Sequence, residues 1–140
     1  MHLHILGICG TFMGGLAAIA RRVLRKKFFE ADAGISGVNF AVAETGTIVL
    51  VTNEGNGRMV TSLPRIHVAV MGMEKVIPTM TDLMVFLAIL ARSATGQKLS
   101  SYTTLVRGPR QPGETEGPEE LHLILMDNGR TRQIAGTLRE

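Results

Sequence analysis

The chain has one cysteine, no tryptophan, one tyrosine and five phenylalanines in 140 residues. A single thiol, Cys9, excludes an internal disulfide and cannot hold an iron–sulfur cluster, which needs several thiolates at close spacing. With aromatics at 4% the core has to be aliphatic, with eight methionines as adaptable filler. The longest apolar stretch, Leu83 to Ala91, is too short to cross a bilayer, so no membrane partner is expected. His2 and His4 stand where a secretion signal would carry basic residues, and glycines break the apolar start, which implies a cytoplasmic location. No pair of His, Cys, Asp or Glu falls at ligand spacing, and no metal site is expected. Charge of one sign is also scarce. The net charge is +3, and the largest basic cluster (Arg21, Arg22, Arg25, Lys26, Lys27) falls on one exposed helix face without interleaved aromatics, so nucleic acid is not an expected partner.

What is present is enough apolar material, 45% of residues, for one compact domain with a real core, 1–140, and no linker divides it. The periodicity predicts a strand near 2–6, a helix near 11–29, strands near 38–43 and 47–53, a glycine-rich loop at 54–63 and a strand near 65–71. Thr79 with Asp82 three residues later is a capping-box start and Gly96 a C-terminal cap, which predicts a helix near 80–94. That helix is apolar almost all round, so it requires burial between the sheet and another element, or a partner surface. Strands near 102–106 and 121–126 follow, separated by a loop from Arg107 to Pro118 too rich in proline and glycine for regular structure. Helices and strands alternate as in an α/β domain.

The segment from Ala31 to Thr47 looks most like a site. Val38, Phe40 and Val42 alternate with Asn39, Ala41 and Ala43 as in a half-buried strand, and Thr47 to Val51 suits a buried one. Glu44-Thr45-Gly46 is then the turn, and it sets a carboxylate at a strand end. Such a carboxylate is either hydrogen-bonded by the turn's amides or kept for chemistry. Glu54-Gly55-Asn56-Gly57-Arg58 follows a buried strand and is either an anion-binding nest with a guanidinium beside it or a mobile glycine turn. Arg107 and Arg110 offer a second fork for a carboxylate, or are solvated. His67 and His122, each in an alternating apolar run, read as sheet histidines with one satisfied face.

Residues 31 to 77, with Gly55-Asn56-Gly57-Arg58-Met59-Val60-Thr61-Ser62-Leu63-Pro64-Arg65 and Val70-Met71-Gly72-Met73-Glu74-Lys75, resemble the LUD domain of the lactate utilization protein B family. The resemblance covers about residues 21 to 135, through Tyr102-Thr103, Arg107-Gly108-Pro109-Arg110 and Asp127-Asn128-Gly129-Arg130. It implies an incomplete α/β domain with flanking helices, similar to the ribose-5-phosphate isomerase and CoA-transferase group. It further implies an iron–sulfur subunit of a complex linked to oxidation of L-lactate to pyruvate, with the clusters in a cysteine-rich segment that follows the domain and is not in this chain. Other lactate-utilization subunits are then the implied partners. In the CoA-transferase group a glutamate at a comparable strand end is the nucleophile, which makes Glu44 the candidate catalytic residue. Thr45, Gly46, Thr47, Asn53, Gly55, Asn56, Gly57 and Arg58 are the candidate binding residues for a small carboxylate.

Met1 to Leu16 resembles instead the start of the murein peptide ligase family that acts on UDP-N-acetylmuramate. There a strand, a glycine-rich turn and a helix lie at the UDP-sugar, and Gly7, Gly10, Gly14 and Gly15 match the turn, where bare backbone can approach a phosphate. The chain therefore reads as a composite, residues 1–20 ligase-like and 21–140 a partial LUD domain. This leaves a UDP-sugar binding module and an inactive composite as alternative functions. A badly paired strand at 2–6 would leave an open edge, for which a homodimer is the expected outcome.

Overall fold

The computed structural model describes residues 22–53, 55–96, 98 and 102–137; Gly7, Gly10, Gly14, Gly15, Cys9, Glu54 and the expected strand near 2–6 lie outside the described residues. A helix over residues 22–30 (α1) is followed by β1 (Ala33–Gly37), β2 (Phe40–Val42), β3 (Thr47–Thr52), α2 (Asn56–Ser62) and β4 (Ile66–Gly72). A 3-10 turn, Met73–Lys75, leads into β5 (Val76–Ile77), α3 (Met80–Thr95), β6 (Tyr102–Val106), β7 (Glu120–Met126) and α4 (Arg130–Thr137).

The strands form two sheets. One is parallel, in the order β1-β4-β7, and the other is mixed, in the order β5-β2-β3-β6. Two chain segments pass from the first sheet to the second side by side, β1 into β2 and β4 into β5, and they stay parallel neighbours on both sides of the bend. At the first bend consecutive amides serve different sheets: Val38 N donates to Val70 O at 3.2 Å and Asn39 N to Val49 O at 2.9 Å. The Asn39 side chain accepts from Val51 N at 2.8 Å, and Lys75 Nζ, arriving from the second bend, donates to Val38 O at 3.0 Å.

The central strands of the mixed sheet, β2 and β3, are buried on both faces while its edge strand β6 is largely exposed, which is why β3 reads as an unbroken apolar run. Ala41, Ile48 and Leu50 pack with Val38, Ala69 and Met71 between the sheets. Val42 and Val49 pack with Ile77 and Leu83 beneath α3. Parallel sheet, mixed sheet and α3 therefore make three layers. The capping box of α3 is present, with Thr79 accepting from Asp82 N and Asp82 accepting from Thr79 N, and Gly96 closes the helix in the left-handed region at φ 69°. The expected burial of α3 holds for one face only: Leu83 and Ala91 are buried, while Met84, Val85 and Ile89 are exposed.

Several elements depart from the sequence expectation. The segment at 54–63, expected as a glycine-rich loop, contains α2, because Arg58 to Ser62 continue helically once Asn56 and Gly57 have begun the turn. β1, β5 and α4 were not expected, and each lacks the pattern that would announce it. β1 is Ala-Gly-Ile-Ser-Gly, β5 has two residues, and α4 carries a glycine near its end. β1 nevertheless needs its glycine. A Cβ built on Gly34 would lie 2.3 Å from Val60 O of α2, well inside van der Waals contact. Gly34→Ala is therefore expected to destabilise the domain by about 1–3 kcal/mol, as overpacking does, through displacement of α2. A urea melt with unchanged midpoint would show that α2 does not press on β1.

Candidate functional site

A cleft of about 610 Å³ opens between α2, the face of β6 and the loop at 107–118. The chain reaches it by three routes. β3 ends at Thr52 and turns into α2, where Gly57 permits close approach: a Cβ there would lie 3.1 Å from Thr52 Cγ2. α2 then presents Arg58, Thr61 and Ser62 to the cleft, and β6 runs back antiparallel to β3 and delivers Arg107 at its end. The loop is laced to its surroundings by backbone bonds, Arg110 N to Pro118 O at 2.7 Å and Gly117 N to Ser62 O at 3.3 Å.

The cationic groups in this cleft differ in how they are held. Arg110 donates from Nη2 to Glu119 Oε1 at 2.9 Å, a single short contact between partly exposed side chains. Arg58 has only a long contact to Glu116, 3.7 Å, with both side chains well exposed, a kind of pair that contributes little. Arg107 makes no ion pair among the described residues and is exposed at the cleft wall. Of the acidic neighbours, Glu114 is engaged with Gln111 N at 2.7 Å. Two guanidinium groups are thus free or nearly free among the described residues, beside a third paired to Glu119. Such a set can take a carboxylate or phosphate in bidentate geometry.

The structure brings together Arg58, Arg107 and Arg110, which the sequence presented as separate possibilities. It does not bring Glu44 to them. Glu44 precedes β3 and Arg58 follows it, so a six-residue strand, roughly 20 Å long, stands between them, and the expected corner of Glu44, Asn56 and Arg58 is not formed. The Glu44 carboxylate is exposed and accepts from Met80 N at 3.1 Å, at the start of α3. Thr45 and Thr47 bond each other through their hydroxyls at 2.7 Å inside the hairpin turn, and Gly46 supplies its left-handed residue at φ 66°. Asn53 is exposed near the end of β3, and Gly55 is the N-cap of α2. The Asn56 side chain bonds the Gly57 amide at 2.8 Å. The expected nest is accordingly the first turn of a helix. The contributors that the sequence reading passed over, Glu116 and the Thr103 to Val106 face of β6, carry no local signal, since only the fold sets them opposite α2.

The two histidines behave as sheet residues. His67 is fully buried in β4, and its Nε2 shares a 2.8 Å hydrogen bond with Ser36 Oγ, while Nδ1 has no partner among the described residues. Burial pushes its pKa below the ordinary 6.5. His122 is exposed on β7, 3.2 Å from Glu120.

Comparison with known proteins fits this architecture. The sequence profile of the LUD domain matches residues 1–126, which includes the first twenty. Lactate utilization protein B of Bacillus velezensis is 58% identical over 118 residues, covering 84% of this chain and 25% of that protein. The protein of the same name from Bacillus subtilis is 55% identical over 118 residues, covering 84% and 24%. The chain thus spans about a quarter of the length of these relatives. A crystal structure of a DUF162 family protein from Deinococcus radiodurans superposes with a TM-score of 0.54 at 25% identity, covering 72% of this chain and 57% of that one.

Two outcomes follow from the placement of Glu44 and His67. Glu44→Ala removes an acceptor from an exposed helix amide, so the melting temperature should fall by a few degrees while anion affinity at the cleft stays unchanged; a tenfold loss of affinity would restore Glu44 to the site. For His67 the unfolded chain takes up a proton more readily than the folded one, so its contribution to stability is complete above about pH 6.5 and is lost as pH falls below that value. Thermal melts between pH 7.5 and 5.5 should show a decline that His67→Gln reduces, and an identical decline in both proteins would mean that other groups carry it.

Proposed function

The chain belongs to the LUD domain family, and on that footing we propose that it is a carboxylate-binding domain acting in lactate utilization, linked to the oxidation of L-lactate to pyruvate. The names of its relatives support the setting, and because the chain spans only about a quarter of their length, the oxidation itself and its other subunits are part of the proposal. The observation that carries it is the convergence of Arg58, Arg107 and Arg110 on one cleft. Lactate and pyruvate each present one planar carboxylate, the group that a guanidinium fork holds by two parallel hydrogen bonds. In this reading Arg110, held by Glu119, fixes the orientation of the carboxylate, and Arg58 exchanges its long contact to Glu116 for a direct one.

The iron–sulfur clusters implied by the family resemblance do not fit the residues of this chain. It holds one cysteine, and no group of three His, Cys, Asp or Glu able to hold a metal occurs among the described residues.

Titration calorimetry with pyruvate and L-lactate tests the reading. Arg58→Ala and Arg107→Ala should each weaken binding roughly tenfold or more, since a hydrogen bond to a charged group contributes about 1.5–3 kcal/mol. Undetectable binding by the wild-type chain, or affinity untouched in both variants, would overturn the assignment of this cleft.

A further inference from the structure

The cleft does not end at Arg58. A second lobe of about 370 Å³ shares Arg58, Ser62 and Arg110 with it and is lined further by Phe29 of α1, Met59 of α2 and Leu63, which caps α2. Both lobes mix polar and apolar walls, Leu105, Val106 and two prolines in the first and Arg25 and Glu116 in the second, but the second adds an aromatic ring with Met59 and Leu63 beside the shared arginines. Phe29 is 59% exposed; the Arg25 guanidinium, which also lines this lobe, lies over its ring at 5.7 Å, so an incoming ring would meet the part of Phe29 that Arg25 leaves exposed and place its acid group near a further cation.

We propose that the ligand of this cleft is a carboxylate carrying an apolar, ring-bearing body, with its acid group on Arg58 and its body against Phe29, Met59 and Leu63. This rests on the carboxylate-binding reading above and names the class of acid that the site prefers. Arg58 is the pivot because it lines both lobes, and its exposed contact to Glu116 is weak enough for an incoming carboxylate to displace. The ring then gains by leaving water for the Phe29 face, a gain unavailable to lactate or pyruvate.

Pyruvate and phenylpyruvate share a head group and differ in the body, so calorimetry with both on the full chain separates the two claims. Phenylpyruvate should bind at least tenfold more tightly than pyruvate. Phe29→Ala should bring it back to the affinity of pyruvate while leaving pyruvate itself unchanged, and Phe29→Leu should retain part of the gain. Arg58→Ala should weaken both acids alike. Equal affinities for the two acids in the wild-type chain would overturn this inference and leave the carboxylate reading standing. Persistence of the gain in Phe29→Ala, or of phenylpyruvate binding in Arg58→Ala, would place the ring elsewhere and overturn it as well. Binding of neither acid would overturn both. Because Phe29 is exposed, its variants are expected to melt as the wild type does, and the melt is recorded beside each titration.

Discussion

The corner at Val38 and Asn39 is the constraint on which the rest of the molecule depends. Two consecutive amides there donate to two different sheets, Val38 to β4 and Asn39 to β3. Val38 is buried between the sheets, and Lys75 holds its carbonyl from the neighbouring bend. Any change in that corner alters the angle between the sheets and hence the packing of Ile48 and Leu50 against Ala69 and Met71. The second pass, through Met73–Lys75, repeats the bend one strand away, so the two sheets are joined by a parallel pair of hinges rather than by a single strand.

The cleft is a product of that arrangement. Because β3 belongs to the mixed sheet and β4 to the parallel one, the chain between them must cross the same gap in the opposite sense, and α2 is the crossing. The loop at 107–118 crosses it again on the way from β6 to β7. Two crossings side by side leave a trough, and its chemistry follows from the side chains that the crossings expose. The trough lies beside the starts of β4 and β7, where Ser62 and Pro118 precede their strands, rather than at the carboxyl ends where open parallel sheets usually gather ligands. The arginines thus sit on the connections, with the sheets as scaffold.

Much of the scaffold was legible in the sequence. Thr79, Asp82 and Gly96 mark the ends of α3 because caps are local chemistry; β3 and β4 carry runs that the sheets bury, and β6 and β7 carry strand-like runs that stay largely exposed. The elements that were missed owe their form to tertiary context. Gly34 and Gly37 weaken β1 as a strand signal, yet Gly34 is there because α2 presses on it. Gly55, Asn56 and Gly57 read as a loop, yet they open a helix that is held at both ends by strands. The site shows the same division. Arg58, Arg107 and Arg110 could each be singled out from residue type and neighbours, but their convergence depends on the antiparallel register of β6 on β3. Glu44 drew notice through its position at a strand end, and the fold uses that carboxylate to hold the start of α3.

The pairing register also implies an order of assembly. Within the described residues the β2–β3 hairpin is the pairing between sequence neighbours, Phe40 with Val49 and Val42 with Thr47 across one tight turn. The parallel sheet joins Ala33 to Ile66 and Ile66 to Glu120, partners separated by large fractions of the chain. Contacts of that separation close slowly, because loop entropy is lost before the contact is made. The hairpin is thus the natural seed of folding. The trough that holds the arginines requires α2, β6 and the 107–118 loop to have found one another, which makes it one of the last parts of the molecule to form.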